Sequence, residues 1–155
     1  MDKNFSKQFI KPKLTTAEAT KLIDLLKNRV TEATLLFPSI GKKLEFDVYA
    51  TKNNSKFIIN ISRGSIDKKK CTYQGRTYLN NIPLLRLDIT NSIHINPDGK
   101  KIIGNHLHIY NEKHDMQYAI KFDIKRNDLY EYCLEFFKEF NILEDTCNIL
   151  YQTEM

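Results

Sequence analysis

The chain has no tryptophan and few residues of the kinds that punctuate or staple a fold: four prolines, five glycines and three cysteines. Cys71, Cys133 and Cys147 are far apart and form no Cys-x-x-Cys pair. A disulfide framework or a cysteine zinc site is therefore not expected, and three buried or partly buried thiols are the default. No linker rich in Gly, Pro or Ser divides the sequence, and no segment repeats. No run approaches the ~18 consecutive apolar residues of a membrane-spanning helix. The first residues, Met1 to Lys13, carry positive charge but lack the apolar stretch and cleavage site of a signal peptide. No membrane association is expected, and the expected location is the cytoplasm of a host cell. The sequence holds no P-loop, no Rossmann glycine pattern, no Gly-x-Ser-x-Gly and no His-Glu-x-x-His, so the commonest nucleotide, serine-hydrolase and metalloprotease signatures are excluded.

What is present fits one domain of ordinary size. The length is 155 residues and 41% are hydrophobic, enough for one core, with nine Phe and eight Tyr as its larger pieces. There are 24 basic and 19 acidic residues, giving a net charge of +5. That balance permits a nucleic-acid or nucleoprotein partner and argues against a DNA mimic, which needs an acidic surface.

Residues 1 to 13 read as a flexible arm, and 14 to 155 as a single α+β domain. Thr15 and Glu18 form a capping-box pattern. Leu22, Ile23, Leu26 and Val30 follow at helical spacing, which predicts a helix over Thr16 to Val30. Period-two alternation then predicts strands. Leu44, Phe46, Val48 and Ala50 share one face, as do Phe57, Ile59 and Ile61, and further on Leu85, Leu87 and Ile89. Thr72 to Leu79 reads as a strand weakened by Gly75, and Met116 to Phe122 as the last of the run. Asn96-Pro97-Asp98-Gly99 is a strong turn signal. Asn127 or Asp128 can cap a second helix whose stripe is Leu129, Cys133, Phe136 and Phe140. The expected architecture is an antiparallel meander of five to six strands, packed on one face against an N-terminal and a C-terminal helix.

The strand Asn105 to Tyr110 carries the most chemistry. Leu107 and Ile109 point one way, and His106, His108 and Tyr110 the other. The structural explanation is a polar row on the open face of a half-solvated sheet. A metal reading needs a third ligand, for which His94 is the natural candidate and Asp98 a weaker one. The leading expectation nonetheless has no metal and no cofactor. A catalytic reading is metal-independent phosphodiester cleavage, with His106, His108 and His94 moving protons and Arg63 or Lys70 holding charge, joined by Arg76 or Arg86. The cysteines have no activating histidine nearby in sequence, so a thiol nucleophile is not expected.

The densest basic run is Lys68-Lys69-Lys70. With Tyr73, Arg76, Tyr78 and Tyr110 it interleaves cations and rings, the pattern of a binding surface. The alternative is a solvated loop that discourages edge pairing.

Several motifs stand in register: Arg63-Gly64, Lys70-Cys71-Thr72-Tyr73-Gln74, Leu85-Arg86-Leu87-Asp88, His94-x-Asn96-Pro97-Asp98-Gly99 and His106-Leu107-His108-Ile109-Tyr110. Together they resemble a family of small bacterial, phage and mobile-element proteins known only as a domain of unknown function, over roughly Asn60 to Phe122. Ser62 stands where that family often has a second arginine, and an additional arginine near Gly75 and Arg76 is thinner here. In size and composition the chain also looks like a phage-encoded anti-CRISPR protein. That resemblance implies a non-enzymatic inhibitor that docks on a type II CRISPR effector nuclease, or on its ribonucleoprotein, by protein–protein contact and blocks DNA cleavage. Nucleic-acid contact would be weak, and the protein a monomer or homodimer. The rival expectation is the metal-independent nuclease, or an RNA-binding toxin, working through the histidine strand and the basic loop.

Overall fold

The computed structural model describes residues 13–152. The arm expected over residues 1 to 13 lies outside them, apart from Lys13, whose ammonium meets Asp115 at 3.2 Å. The fold is α+β. Helix α1 spans Thr16–Asp24 and α2 spans Leu129–Glu139. The strands among the described residues are β1 Lys27–Asn28, β2 Leu35–Leu36, β3 Lys43–Ala50, β4 Lys56–Arg63, β5 Cys71–Thr77, β6 Pro83–Ile89, β7 Ile93–Ile95, β8 Lys101–Ile103, β9 His106–Ile109, β10 Ala119–Lys121 and β11 Ile149–Leu150. Seven of them form one antiparallel sheet in the order β1-β3-β4-β5-β6-β9-β10. The sheet is thus wider than the five to six strands expected. β7 and β8 form a separate hairpin inserted between β6 and β9, and β11 pairs with β2 in parallel.

The alternation places the core as predicted. Phe46, Val48, Ala50, Phe57, Ile59, Ile61, Leu85, Leu87, Ile89 and Leu107 all join one buried cluster with Ala19 and Ile23 of α1 and with Leu129, Cys133, Phe136 and Phe137 of α2. Both helices therefore cover the same face of the sheet. The Thr15 capping box and the Asp128 cap are both formed. Gly75 has a structural reason. A Cβ there would come within 2.5 Å of the Phe140 ring, so the glycine is the seat on which the C-terminus of α2 rests. The β5–β6 register shifts next to it, between Gly75 and Arg76.

Helix α1 stops at Asp24, well short of Val30. The reason is Lys27. Its fully buried ammonium donates to the carbonyls of Ile23 and Leu25 at 2.8 Å and of Phe140 at 2.7 Å, over the faces of Phe57 and Phe140. The chain leaves the helix to reach this position, and Leu26 and Val30 end up exposed.

Two aromatic positions read as surface are core. Tyr73 is fully buried and donates its hydroxyl to the Leu129 carbonyl, and Tyr110 donates to the Leu14 carbonyl at 2.8 Å from within the hydrophobic cluster. Neither offers a ring to a partner. β9 ends at Ile109, so Tyr110 escapes the alternation that would have put it beside the histidines.

Candidate functional site

The face of the sheet opposite the helices carries Arg86 and Asp88 on β6 and His106 and His108 on β9. The β6–β9 register sets Arg86 beside His108 and Asp88 beside His106. The histidines do not lie open to water. His106 is 5% exposed and His108 3%. Their cover is the β7–β8 hairpin, which brings His94 over the sheet. The three ring centroids stand 4.8 to 5.0 Å apart pairwise, and one nitrogen from each ring lies within 4.8 Å of the others.

Each ring is anchored through one nitrogen by a carbonyl oxygen. His106 Nδ1 donates to the Gly104 carbonyl at 2.9 Å, and His108 Nδ1 to that of Met116 at 2.7 Å. His94 Nε2 donates to Asn96 Oδ1 at 2.9 Å and to the Gln117 carbonyl at 3.0 Å. Asn96 is itself held on both sides: its Nδ2 donates to the Ala119 carbonyl, and its Oδ1 accepts from the Ala119 amide, each at 2.8 Å. An oxygen that already accepts from an amide can only be an acceptor, which fixes the proton on His94 Nε2. The remaining nitrogens are His94 Nδ1 and the Nε2 atoms of His106 and His108, and the two Nε2 atoms turn toward Asp88.

Asp88 faces that space. Its Oδ2 lies 3.2 Å from His106 Nε2 and 3.3 Å from His108 Nε2, and the Arg86 guanidinium grips both carboxylate oxygens at 2.9 and 3.1 Å. Arg86 Nη2 also stands 3.0 Å from His108 Nε2. Burial opposes ionisation of Asp88, but hydrogen bonds from His106, His108 and Arg86 outweigh it and hold the carboxyl far below the usual carboxylate range. Burial likewise opposes charge on His106. The Asp88 carboxylate and the Gly104 carbonyl overcome it and raise the imidazole above its ordinary value.

The cluster sits in a cleft of about 440 Å³ that Arg63 and Lys70 also line. Lys70 reaches Ser92 Oγ at 3.1 Å. Arg63 donates to the carbonyls of Pro38 and Lys68 and so braces the basic loop. An adjoining groove of about 520 Å³ shares Arg63 and Lys70 and adds Lys68, Lys69 and Arg126. Among the catalytic candidates, His94, His106 and His108 are thus brought together, with Arg63 and Lys70 on the cleft wall. Arg76 is elsewhere, bonded to Asn60 and Asn81 and paired with Glu45. Tyr78 is exposed, with the Lys56 ammonium 4.0 Å above its ring. Asp98 caps its own turn through the Lys100 amide. The acid that joins the histidines is Asp88, which sequence reasoning left unassigned. The three cysteines are buried, and burial pushes the thiols of Cys71 and Cys147 up to about 11 and raises that of Cys133 well above its ordinary value.

A family of unknown function (DUF6978) has a model that matches residues 14–142. The chain belongs to this family. The matched span contains the whole histidine cluster together with Arg86, Asp88 and Asn96, so the cleft is built entirely from the family's own segment. No curated protein and no solved structure matches the chain. No described helix is long and apolar enough to cross a membrane.

Proposed function

We propose that this protein is a hydrolase that cleaves phosphodiesters of a nucleic-acid strand in the histidine cleft. One observation carries the reading. Three anchored imidazoles, a buried carboxylate and a bidentate arginine meet at the end of a groove walled by Arg63, Lys68, Lys69, Lys70 and Arg126. The imidazoles that line the cleft are placed to move protons, with Asp88 to orient them, and Arg86 is placed to stabilise charge on a phosphate. The basic groove supplies the sequence-blind grip that a polyanion needs. The test is cleavage of labelled single- and double-stranded RNA and DNA by protein freed of any affinity tag. Cleavage by the native chain and its loss in His106→Ala/His108→Ala, with a cooperative melt retained, is the expected result. Intact substrates with all four nucleic acids refute it.

A second reading, inhibition of a type II CRISPR effector nuclease by protein–protein contact, is favoured by a different surface. Ile93 and Ile103 are paired across the β7–β8 hairpin and are 57% and 66% exposed, with Ile95 and Ile120 also open. Exposed branched aliphatics on this covering hairpin suit a docking contact. Inhibition of a purified effector that survives the double histidine change and is lost in Ile93→Asp/Ile103→Asp supports this reading. No inhibition across several effectors removes it.

A further inference from the structure

We propose that His94, His106 and His108 hold a divalent transition-metal ion of the zinc class, with Asp88 Oδ2 at the fourth corner. The proposal deepens the hydrolytic reading of this cleft and rests on it for the role of the ion, which would take water as a fifth ligand and activate it in place of an imidazole base. The argument for the ion itself is geometric. A tetrahedral ion with metal–nitrogen bonds of about 2.0–2.1 Å sets imidazole centroids roughly 5 Å apart, and its ligand atoms about 3.3 Å apart along each edge. The three ring centroids are separated by 4.8, 4.8 and 5.0 Å. Asp88 Oδ2 is 3.2 and 3.3 Å from the two Nε2 atoms. Both sets of lengths fit a coordination shell, while the imidazole nitrogens, which lie within 4.8 Å of one another, would close toward about 3.3 Å on an ion.

The tautomers point the same way. Metal-bound histidines characteristically donate their other ring nitrogen to a carbonyl or carboxylate, which fixes ring and lone pair. All three rings do so here, to Gly104, Met116 and the pair Asn96 and Gln117. With Nδ1 of His106 and His108 committed as donors, both Nε2 atoms converge on one carboxylate oxygen. Without an ion, a proton on His106 Nε2 bridges to Asp88 and the Arg86 guanidinium faces His108 Nε2, so positive charge already sits at both places an ion would serve. A single shared cation would replace both and also take the remaining nitrogen of His94, whose ring lies against the other two. Imidazole with one carboxylate is a donor set that suits zinc and its neighbours rather than magnesium or calcium. The Arg86 hydrogen bond to His108 competes for the same lone pair, and the ion would displace it while Arg86 keeps its grip on Asp88 Oδ1.

The experiment loads tag-free protein with zinc, removes excess by gel filtration and measures metal per chain by mass spectrometry. Cobalt(II) loading adds visible absorption of tetrahedral intensity. One ion per chain is expected, falling at least tenfold in affinity in His94→Asn and by about tenfold in Asn96→Ala, which loosens the His94 anchor. His114→Asn, outside the cluster, should bind as the native chain does, and Arg86→Gln should bind more tightly. Less than about a tenth of an ion per folded chain, or unchanged affinity in His94→Asn, overturns the proposal. The two readings separate cleanly. One ion per chain with no nucleic-acid cleavage keeps the metal site and rejects the substrate. Cleavage by protein that binds no metal rejects the ion and keeps the hydrolase.

Discussion

Lys27 offers the sharpest test of what fastens the helices to the sheet. Its ammonium has three hydrogens and three acceptors: two carbonyls at the end of α1 and one just past α2. Replacement by Met keeps the apolar stem against Phe57 and Phe140 and removes only the donors. It strands three carbonyls beside a buried side chain. Leaving buried carbonyls unsatisfied costs about 1–3 kcal/mol each, so at least ~3 kcal/mol for the three, against a total stability of about 5–15 kcal/mol for a domain. The same residue predicts a pH dependence. Burial lowers the Lys27 ammonium to about 7, outweighing the attraction of Asp24. The ordinary lysine value of the unfolded chain is 10.5. Between these values the unfolded chain holds a proton the folded chain has released, so native stability rises with pH. From about pH 7 to about pH 9 the gain is roughly 2 kcal/mol, at ~1.4 kcal/mol per unit of differential protonation. Urea unfolding of native protein and Lys27→Met at several pH values reads both effects. The gap between the two proteins should be at least ~3 kcal/mol near neutrality and should widen toward pH 9. A gap under about 1 kcal/mol would refute the network argument. A gap that stays constant with pH would show that the three carbonyls keep the ammonium charged in spite of its burial.

Other predictions address the sheet and the cleft. Gly75→Ala forces a methyl into the Phe140 ring and should destabilise by about 1–3 kcal/mol, lowering the urea midpoint without changing the slope. Unchanged stability would show that α2 shifts freely over β5. Changing Lys68, Lys69 and Lys70 together to Gln should reduce the salt dependence of single-strand binding by about 2 in the log–log slope. An unaltered slope would take the basic loop out of the binding path. Asn96→Ala should raise hydrogen exchange in β7 and at Ala119, because both edges of that amide are paired with β10. Protection equal to native would mean that the hairpin is held by other contacts.

Local signals were readable in the sequence and non-local ones were not. The Thr15 and Asp128 caps involve residues three apart, and both are formed. The aliphatic faces of β3, β4 and β6 follow from period two alone. The end of α1 was not legible, because Leu26 and Val30 keep helical spacing while the decisive partner of Lys27 is 113 residues away, at Phe140. Alternation also told correctly that His106 and His108 lie opposite Leu107, but it carries no information about what covers that side. The hairpin that buries them is a separate sheet. The pairing of β6 with β9, which brings Asp88 to His106, skips over it. The Asn-Pro-Asp-Gly turn was the available clue, since a tight turn implies two paired arms, and one arm holds His94.

The cluster is not explained by stability. Three imidazoles, a carboxylate and a guanidinium under cover are expensive to desolvate, and apolar residues of similar volume would serve a sheet–hairpin seam equally well or better. The neighbouring positions show that the chain can build such seams: on the other face the same strands carry Leu85, Leu87 and Leu107. A polar row retained under a hairpin, with every ring turned by its own carbonyl so that the other nitrogens converge, is the arrangement the proposed site requires. The surroundings narrow what such a site would hold. The nearest charges to those nitrogens are Asp88, which favours a cation among the rings, and Arg86, which favours an anion just beyond them. Asp88 and Arg86 already neutralise each other in a bidentate pair, and the proposed metal ion with a phosphate oxygen as its further ligand would engage both without breaking it.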